Sequence, residues 1–229
     1  MASLEGKCAL VTGAGRGIGE ATARKLASCG ARVLVNDLDA DVANAVASSI
    51  PGAMAYPADL TDAEAADHVV EAALDTFGGL DIVVNNAGYI WHSAIHNMSD
   101  EQWDAMIDIH ASAQFRILRA YGRWLRGNAG PDSPTRKVVN ISSTMGVHGG
   151  ATQLAYSAGK AAVVGITKTL AKEWGRFNVT VNAVAFAPDG LTLAVGGDDK
   201  KVALYDVATG DKEGVAEDER GDKGDDVGS

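Results

Sequence analysis

Cysteine is scarce in this chain: Cys8 and Cys29 are the only two thiols among 229 residues. A disulfide framework needs a richer cysteine pattern, and no Cys or His grouping has metal-ligand spacing. The pair reads as free thiols of a reducing compartment, and no metal site is expected. Long apolar runs are also missing, so no segment is expected to span a bilayer. The amino terminus, MASLEGKCALVTG, lacks the charged-then-apolar layout of a signal peptide and passes directly into a strand pattern. A cytoplasmic protein without membrane attachment is the expectation. Positive charge is in short supply too. The formal net charge is -10, which argues against a uniformly basic nucleic-acid surface.

Apolar content is plentiful. Hydrophobic residues form 46% of the chain, enough for a sizeable core. The length fits one large α/β domain, or one domain with a short appendix. The acidity is uneven: residues 211–229 hold eight Asp or Glu against three Lys or Arg. That stretch is glycine-rich and almost without apolar residues, the composition of a disordered tail.

Strand and helix patterns alternate along the first four-fifths of the sequence. Near-continuous apolar strands are read at 7–12, 31–37, 53–60, 80–88, 136–142 and 178–185. Helical patterns lie between them, at 39–49, 62–77, 100–127 and 154–174, with a first helix ending near Ser28. In the third region, Ser99 with Gln102 three residues on has the form of a capping box. Strands that are apolar throughout need helices on both faces, so a Rossmann-type, doubly wound parallel sheet is expected.

The turn after the first strand reads GAGRGIG. Gly13, Gly17 and Gly19 allow a pyrophosphate to approach the backbone at a helix start, with Arg16 and Ile18 in the same turn. Asp37 closes the second strand, where a carboxylate can accept hydrogen bonds from an adenosine ribose. A 2'-phosphate there would meet like charge, which favours NAD over NADP; Arg16 pulls the other way. Asp59 and Leu60 follow the third strand, beside an adenine. Asn85, Asn86 and Gly88 follow the fourth. All of these turns belong at the carboxyl edge of one sheet.

Tyr156 and Lys160 lie four apart in LAYSAGKAAVVG and share one helix face. A tyrosine hydroxyl ordinarily titrates near 10, and a neighbouring ammonium favours its phenolate. Such a pair can exchange a proton near neutrality. Ser143 ends the fifth strand, where its hydroxyl could hold a carbonyl oxygen beside Tyr156. Trp91, His92, His96, Met145 and His148 follow these turns and are expected to border the substrate.

Together, TGAGRGIG at 12–19, NNAG at 85–88, Ser143 and YSAGK at 156–160 resemble the short-chain dehydrogenase/reductase family over residues 1–184. The flavour is that of 3-oxoacyl-carrier-protein reductases and of hydroxyacyl or steroid dehydrogenases. The resemblance implies a single NAD-binding catalytic domain, usually dimeric or tetrameric, that interconverts a secondary alcohol and a ketone. It implies Tyr156 as acid/base, Ser143 as substrate-orienting, Lys160 on the nicotinamide ribose and beside Tyr156, and Asn86 near the cofactor. Where the family usually has Asn in the segment before the fifth strand, this chain has His110. That imidazole either takes the place in a proton relay or packs within its helix.

A larger departure follows VTVNAVA. The family continues with Pro-Gly and a nicotinamide-covering region, but here the chain reads FAPDG. Residues 181–210 resemble a single WD40 repeat. A lone repeat cannot bury its own face, and a propeller needs about four blades, so a propeller function is not expected. The segment 185–210 reads instead as a hairpin. It leaves two alternatives to an active enzyme: an NAD-binding but catalytically impaired chain, or an interaction module working through the hairpin.

Overall fold

The computed structural model describes residues 3–186, 192–196, 201–206 and 212–217. Its elements run β1 (Cys8–Val11), α1 (Gly17–Ser28), β2 (Arg32–Val35), α2 (Ala40–Ser48), β3 (Met54–Ala55), α3 (Ala65–Phe77) and β4 (Ile82–Asn85). They continue with α4 (Asp100–Ile107), α5 (Ala113–Asn128), β5 (Arg136–Ile141), α6 (Met145–His148), α7 (Leu154–Trp174) and β6 (Val179–Phe186). Three further strands end the described chain, β7 (Thr192–Gly196), β8 (Lys201–Asp206) and β9 (Lys212–Glu217).

The sheet order is β3-β2-β1-β4-β5-β6-β7-β8-β9. Pairing is parallel from β3 to β6. Strand order reverses between β1 and β4, which opens a crevice at their carboxyl ends. This is the expected Rossmann-type sheet with helices on both faces.

Alternation along each strand builds the two faces. Cys8 and Leu10 of β1 join Val69 and Ala73 of α3 and Ile117 and Tyr121 of α5 in one core. Ala9 and Val11 join Ala23 of α1 and Ala43 and Val46 of α2 in the other. Tyr121 anchors the first core. It stacks on Trp124, meets Trp174 edge-on, and donates its hydroxyl to the Leu80 carbonyl at 2.9 Å. Burial raises its pKa well above the ordinary phenol value, so this hydroxyl remains a donor.

A local reading holds: Ser99 and Gln102 form the capping box of α4. Others are corrected. The third strand shrinks from 53–60 to two residues, because Pro57 has no N–H to donate and the chain turns away. The next helix starts at Ala65, not at residue 62, since Asp59 and Asp62 accept from Thr61 N and Glu64 N in successive turns. The helix expected over 100–127 is broken into α4 and α5 by a π turn at Asp108–Ser112. Trp103 is 39% exposed, not the buried interhelical anchor that the capped helix start suggests, and Phe115, read as either a core or a dimer-face residue, is 51% exposed and so lies outside the core.

Beyond β6 the pairing becomes antiparallel. β7, β8 and β9 extend the same sheet, and the described residues form no propeller. β9 lies in the stretch whose composition suggests disorder. Backbone pairing along the free edge of β8 depends little on side chains, so an acidic segment can still add a strand. Residues 218–229 fall outside the described chain.

Replacing Tyr121 by Phe leaves the buried Leu80 carbonyl without this donor. A loss of about 1–2 kcal/mol in unfolding free energy is expected, measurable by urea denaturation, with the fold otherwise retained.

Candidate active site

β1 and β4 end side by side, and a short bond network fixes how they end. The Thr12 hydroxyl accepts from Asn86 N at 3.0 Å and Ala87 N at 3.1 Å. The Asn86 amide donates to the carbonyls of Thr12 at 3.0 Å and Gly13 at 2.9 Å. The glycine loop is thereby strapped to the β4 turn. Gly13 sits at φ 60°, and a Cβ there would meet Ala87 Cα at 2.7 Å. A Cβ on Gly19 would strike the Gly13 carbonyl. Gly17 also has positive φ, but open space surrounds it.

That space lies at the start of α1. Its N-cap, Arg16, supplies no side-chain capping bond, so the first-turn N–H groups are uncapped and available to an anion. Asp37 holds the outer side of the loop, accepting from Gly15 N at 2.9 Å and Asp39 N at 3.1 Å. Arg16 turns to Asp39 instead, in an exposed ion pair of 2.9 Å.

An open cleft of about 1480 Å³ runs along this edge of the sheet. Its lining includes Gly13, Arg16, Ile18, Asp37, Asp59, Leu60, Asn86, Gly88, His110, Ser143, Tyr156 and Lys160. Residues drawn from the length of the sequence thus meet in one place. Gly17 and Gly19 lie beside its α1 end without lining it. Leu60 is also part of the core, at 4% exposed. Asp59 accepts from the N–H and hydroxyl of Thr61.

Lys160 is 4% exposed, and its Nζ donates to the Ile141 carbonyl at 2.7 Å. Burial lowers its pKa to about 8. Its ammonium lies 5.8 Å from the centre of the Tyr156 ring. Ser143 Oγ accepts from Met145 N at 3.2 Å, leaving its own proton to donate into the cleft. His110 packs edge-on against Tyr156, with ring centres 5.0 Å apart. Burial, and next the Lys160 charge, lower its pKa to about 4.

Trp91, His92, His96 and His148 lie on the exposed surface, outside the cleft lining. Met145 is half-buried, its sulfur close to where a Gly150 side chain would begin. Tyr89, Ile90 and Phe186 line the cleft in their stead. The sequence reading missed Asn36, Asn140 and Thr167 and did not foresee that Asn85 is bonded within the fold. Asn36 donates to the Tyr56 and Ala58 carbonyls, tying the ends of β2 and β3. Asn85 donates to Asn140, Asn140 to Thr167, and Thr167 to the Val163 carbonyl of α7. Asn residues within or just after otherwise apolar strand runs were the available signal.

Residues 7–191 match the family model described as short chain dehydrogenase. The chain belongs to the short-chain dehydrogenase family. It is 40% identical over 192 residues to a 3-oxoacyl-[acyl-carrier-protein] reductase of Synechocystis, covering 81% of this chain and 75% of that one. It is also 40% identical over 184 residues to a peroxisomal hydratase-dehydrogenase-epimerase of Neurospora crassa, covering 79% of this chain but 20% of that much longer protein. A solved 3-ketoacyl-(acyl-carrier-protein) reductase from Brucella melitensis, complexed with NADH, superposes with a TM-score of 0.75 at 35% identity. The match covers 79% of this chain and 75% of that one. Membership makes this short-chain dehydrogenase an NAD(P)-dependent oxidoreductase acting on CH–OH groups. Among the described residues no helix is long and apolar enough to cross a membrane.

The His110 shift has a consequence for acid stability. The unfolded chain takes up a proton near 6.5, while folded His110 resists it until about 4. The unfolded state therefore binds more protons in that window, and stability falls as pH drops through it. The His110 contribution is at most about 3 kcal/mol. Urea unfolding at pH 4.5 and 7 should show the difference, and His110→Leu should shrink it.

Proposed function

We propose that this chain interconverts a secondary alcohol and a ketone by hydride transfer, with NAD as cofactor and Tyr156 as acid/base. The observation that carries the proposal is the meeting of Ser143, Tyr156 and Lys160 in the cleft that begins at the uncapped, glycine-lined start of α1. The residues present fit a dinucleotide. First-turn N–H groups suit the pyrophosphate, Asp37 a ribose diol, and Lys160 the second ribose. When bound, the nicotinamide supplies the hydride acceptor or donor. The Ser143 hydroxyl holds the substrate oxygen. Tyr156 takes the hydroxyl proton during oxidation and returns it to the carbonyl oxygen during reduction. Lys160, close behind the ring, stabilises the phenolate in between.

Asp37 supports NAD over NADP, because a 2'-phosphate beside its carboxylate would be repelled. Arg16, engaged by Asp39, offers that phosphate little. The substrate class we favour is 3-oxoacyl/3-hydroxyacyl or a similar bulky ketone, on the strength of the acyl-carrier-protein reductase relatives. Exposed Phe115 and Trp103 on the helices before β5 support assembly as a homodimer or homotetramer.

A second reading has its own observation. β6 runs on through Phe186, which lines the cleft, and into an antiparallel extension. The chain there departs from the family's Pro-Gly continuation. An NAD-binding but impaired enzyme, with its added strands used for contact with another protein, is the alternative.

A paired assay separates the two. Calorimetry with NAD and NADP, alongside turnover on a panel of alcohols and ketones, should show tighter NAD binding and measurable hydride transfer. Tyr156→Phe should leave NAD affinity within about threefold and lower kcat by 100-fold or more, at the low end of what loss of acid–base catalysis implies. Binding without turnover would establish the impaired reading. Binding of neither cofactor would overturn both.

A further inference from the structure

His110 is held more tightly than a packing residue requires. It sits in the π turn between α4 and α5 and is 1% exposed. Its Nε2 lies 2.7 Å from the Tyr89 carbonyl. A carbonyl only accepts, so Nε2 carries the proton and Nδ1 is bare. Among the described residues Nδ1 is buried with no hydrogen-bond partner, so none of them offers an acceptor for a second proton. The ring lies neutral beside the Lys160 ammonium.

Its neighbours are shaped to it. A Cβ on Gly159 of α7 would come within 2.8 Å of His110 Cβ, and one on Gly88 would overlap the imidazole itself. Tyr156 closes a further side, at 87° to the ring. One side chain therefore touches the two structures that must meet for chemistry. The loop after β4, with Gly88, Tyr89 and Ile90, walls the cleft. α7 carries Tyr156 and Lys160.

We infer that His110 is a positioning residue, a neutral Nε2–H latch that ties the Tyr89 carbonyl to the Tyr156 ring and so fixes the angle at which the phenol meets the substrate. This rests on the acid/base reading of Tyr156. The π turn is the device that delivers it: the extra residue in that turn changes which side chains face α7. The neutral form matters because an imidazolium would add a second buried cation beside Lys160.

Two substitutions of similar volume test the latch. Leu at this position keeps bulk and lacks a donor. Gln places its amide nitrogen as many bonds from Cα as Nε2 and can reach the same carbonyl. His110→Leu should fold, bind NAD within about threefold by calorimetry, and lose tenfold or more in kcat, roughly what a small misplacement of reacting groups implies. His110→Gln should recover most of that loss. Full kcat in His110→Leu, or a His110→Gln enzyme as slow as the Leu variant, would overturn the inference. A second readout needs no turnover. Nitrogen NMR of imidazole-labelled protein should show His110 protonated at Nε2 and bare at Nδ1 at neutral pH. The opposite tautomer, or a doubly protonated ring, would also overturn it. If the native chain transfers no hydride, the acid/base reading fails by itself, and the NMR signature still decides whether the latch exists.

Discussion

The carboxyl ends of β1 and β4 are held together by one side-chain amide and one hydroxyl, and the cleft depends on that junction. Thr12 and Asn86 exchange hydrogen bonds with each other's backbone and with Gly13. These bonds satisfy groups that the diverging strands would otherwise leave unpaired. They also set the glycine loop against the β4 turn so closely that side chains at Gly13 and Gly19 are forbidden. The glycine-loop end of the cleft and the Gly88–Tyr89 wall are therefore two parts of one rigid corner.

At the other end, burial governs the chemistry. The Lys160 ammonium donates to the Ile141 carbonyl, and desolvation brings its pKa down toward neutrality. His110, a few ångströms away across Tyr156, responds to the same low-dielectric surroundings by staying neutral. One charge and one neutral donor can coexist there, whereas two cations would destabilise the site. The buried chain from Asn85 through Asn140 to Thr167 ties β4 and β5 to the helix that carries Tyr156 and Lys160. Amides at strand positions otherwise filled by aliphatic residues thus set the register of α7 on the sheet.

The far side of the sheet has another logic. From β6 onward, crossover helices give way to antiparallel neighbours. An antiparallel partner needs only a short turn, so a sequence with strand-and-turn punctuation adds to the edge without helices. The propeller repeat expected over residues 181–210 is not found: the described strands there add to the edge that β6 presents.

The sequence by itself determined the fold class, and it singled out Tyr156, Lys160, Ser143, Asp37 and the glycine loop as candidates that the fold then brings to one cleft. Those signals are local: glycine positions in a strand–turn–helix unit, a helical spacing of four, a carboxylate at a strand end. Tertiary structure decided what local pattern cannot encode. It broke the 100–127 helix at a π turn, within which His110 meets the Tyr89 carbonyl of a distant segment. It gave Arg16 to Asp39, replaced the expected histidine and tryptophan wall with Tyr89, Ile90 and Phe186, and turned Asn36 and Asn140 into clamps. Each of these outcomes depends on which groups meet across the sheet and how far they are removed from water, and neither quantity is a property of a single stretch of chain.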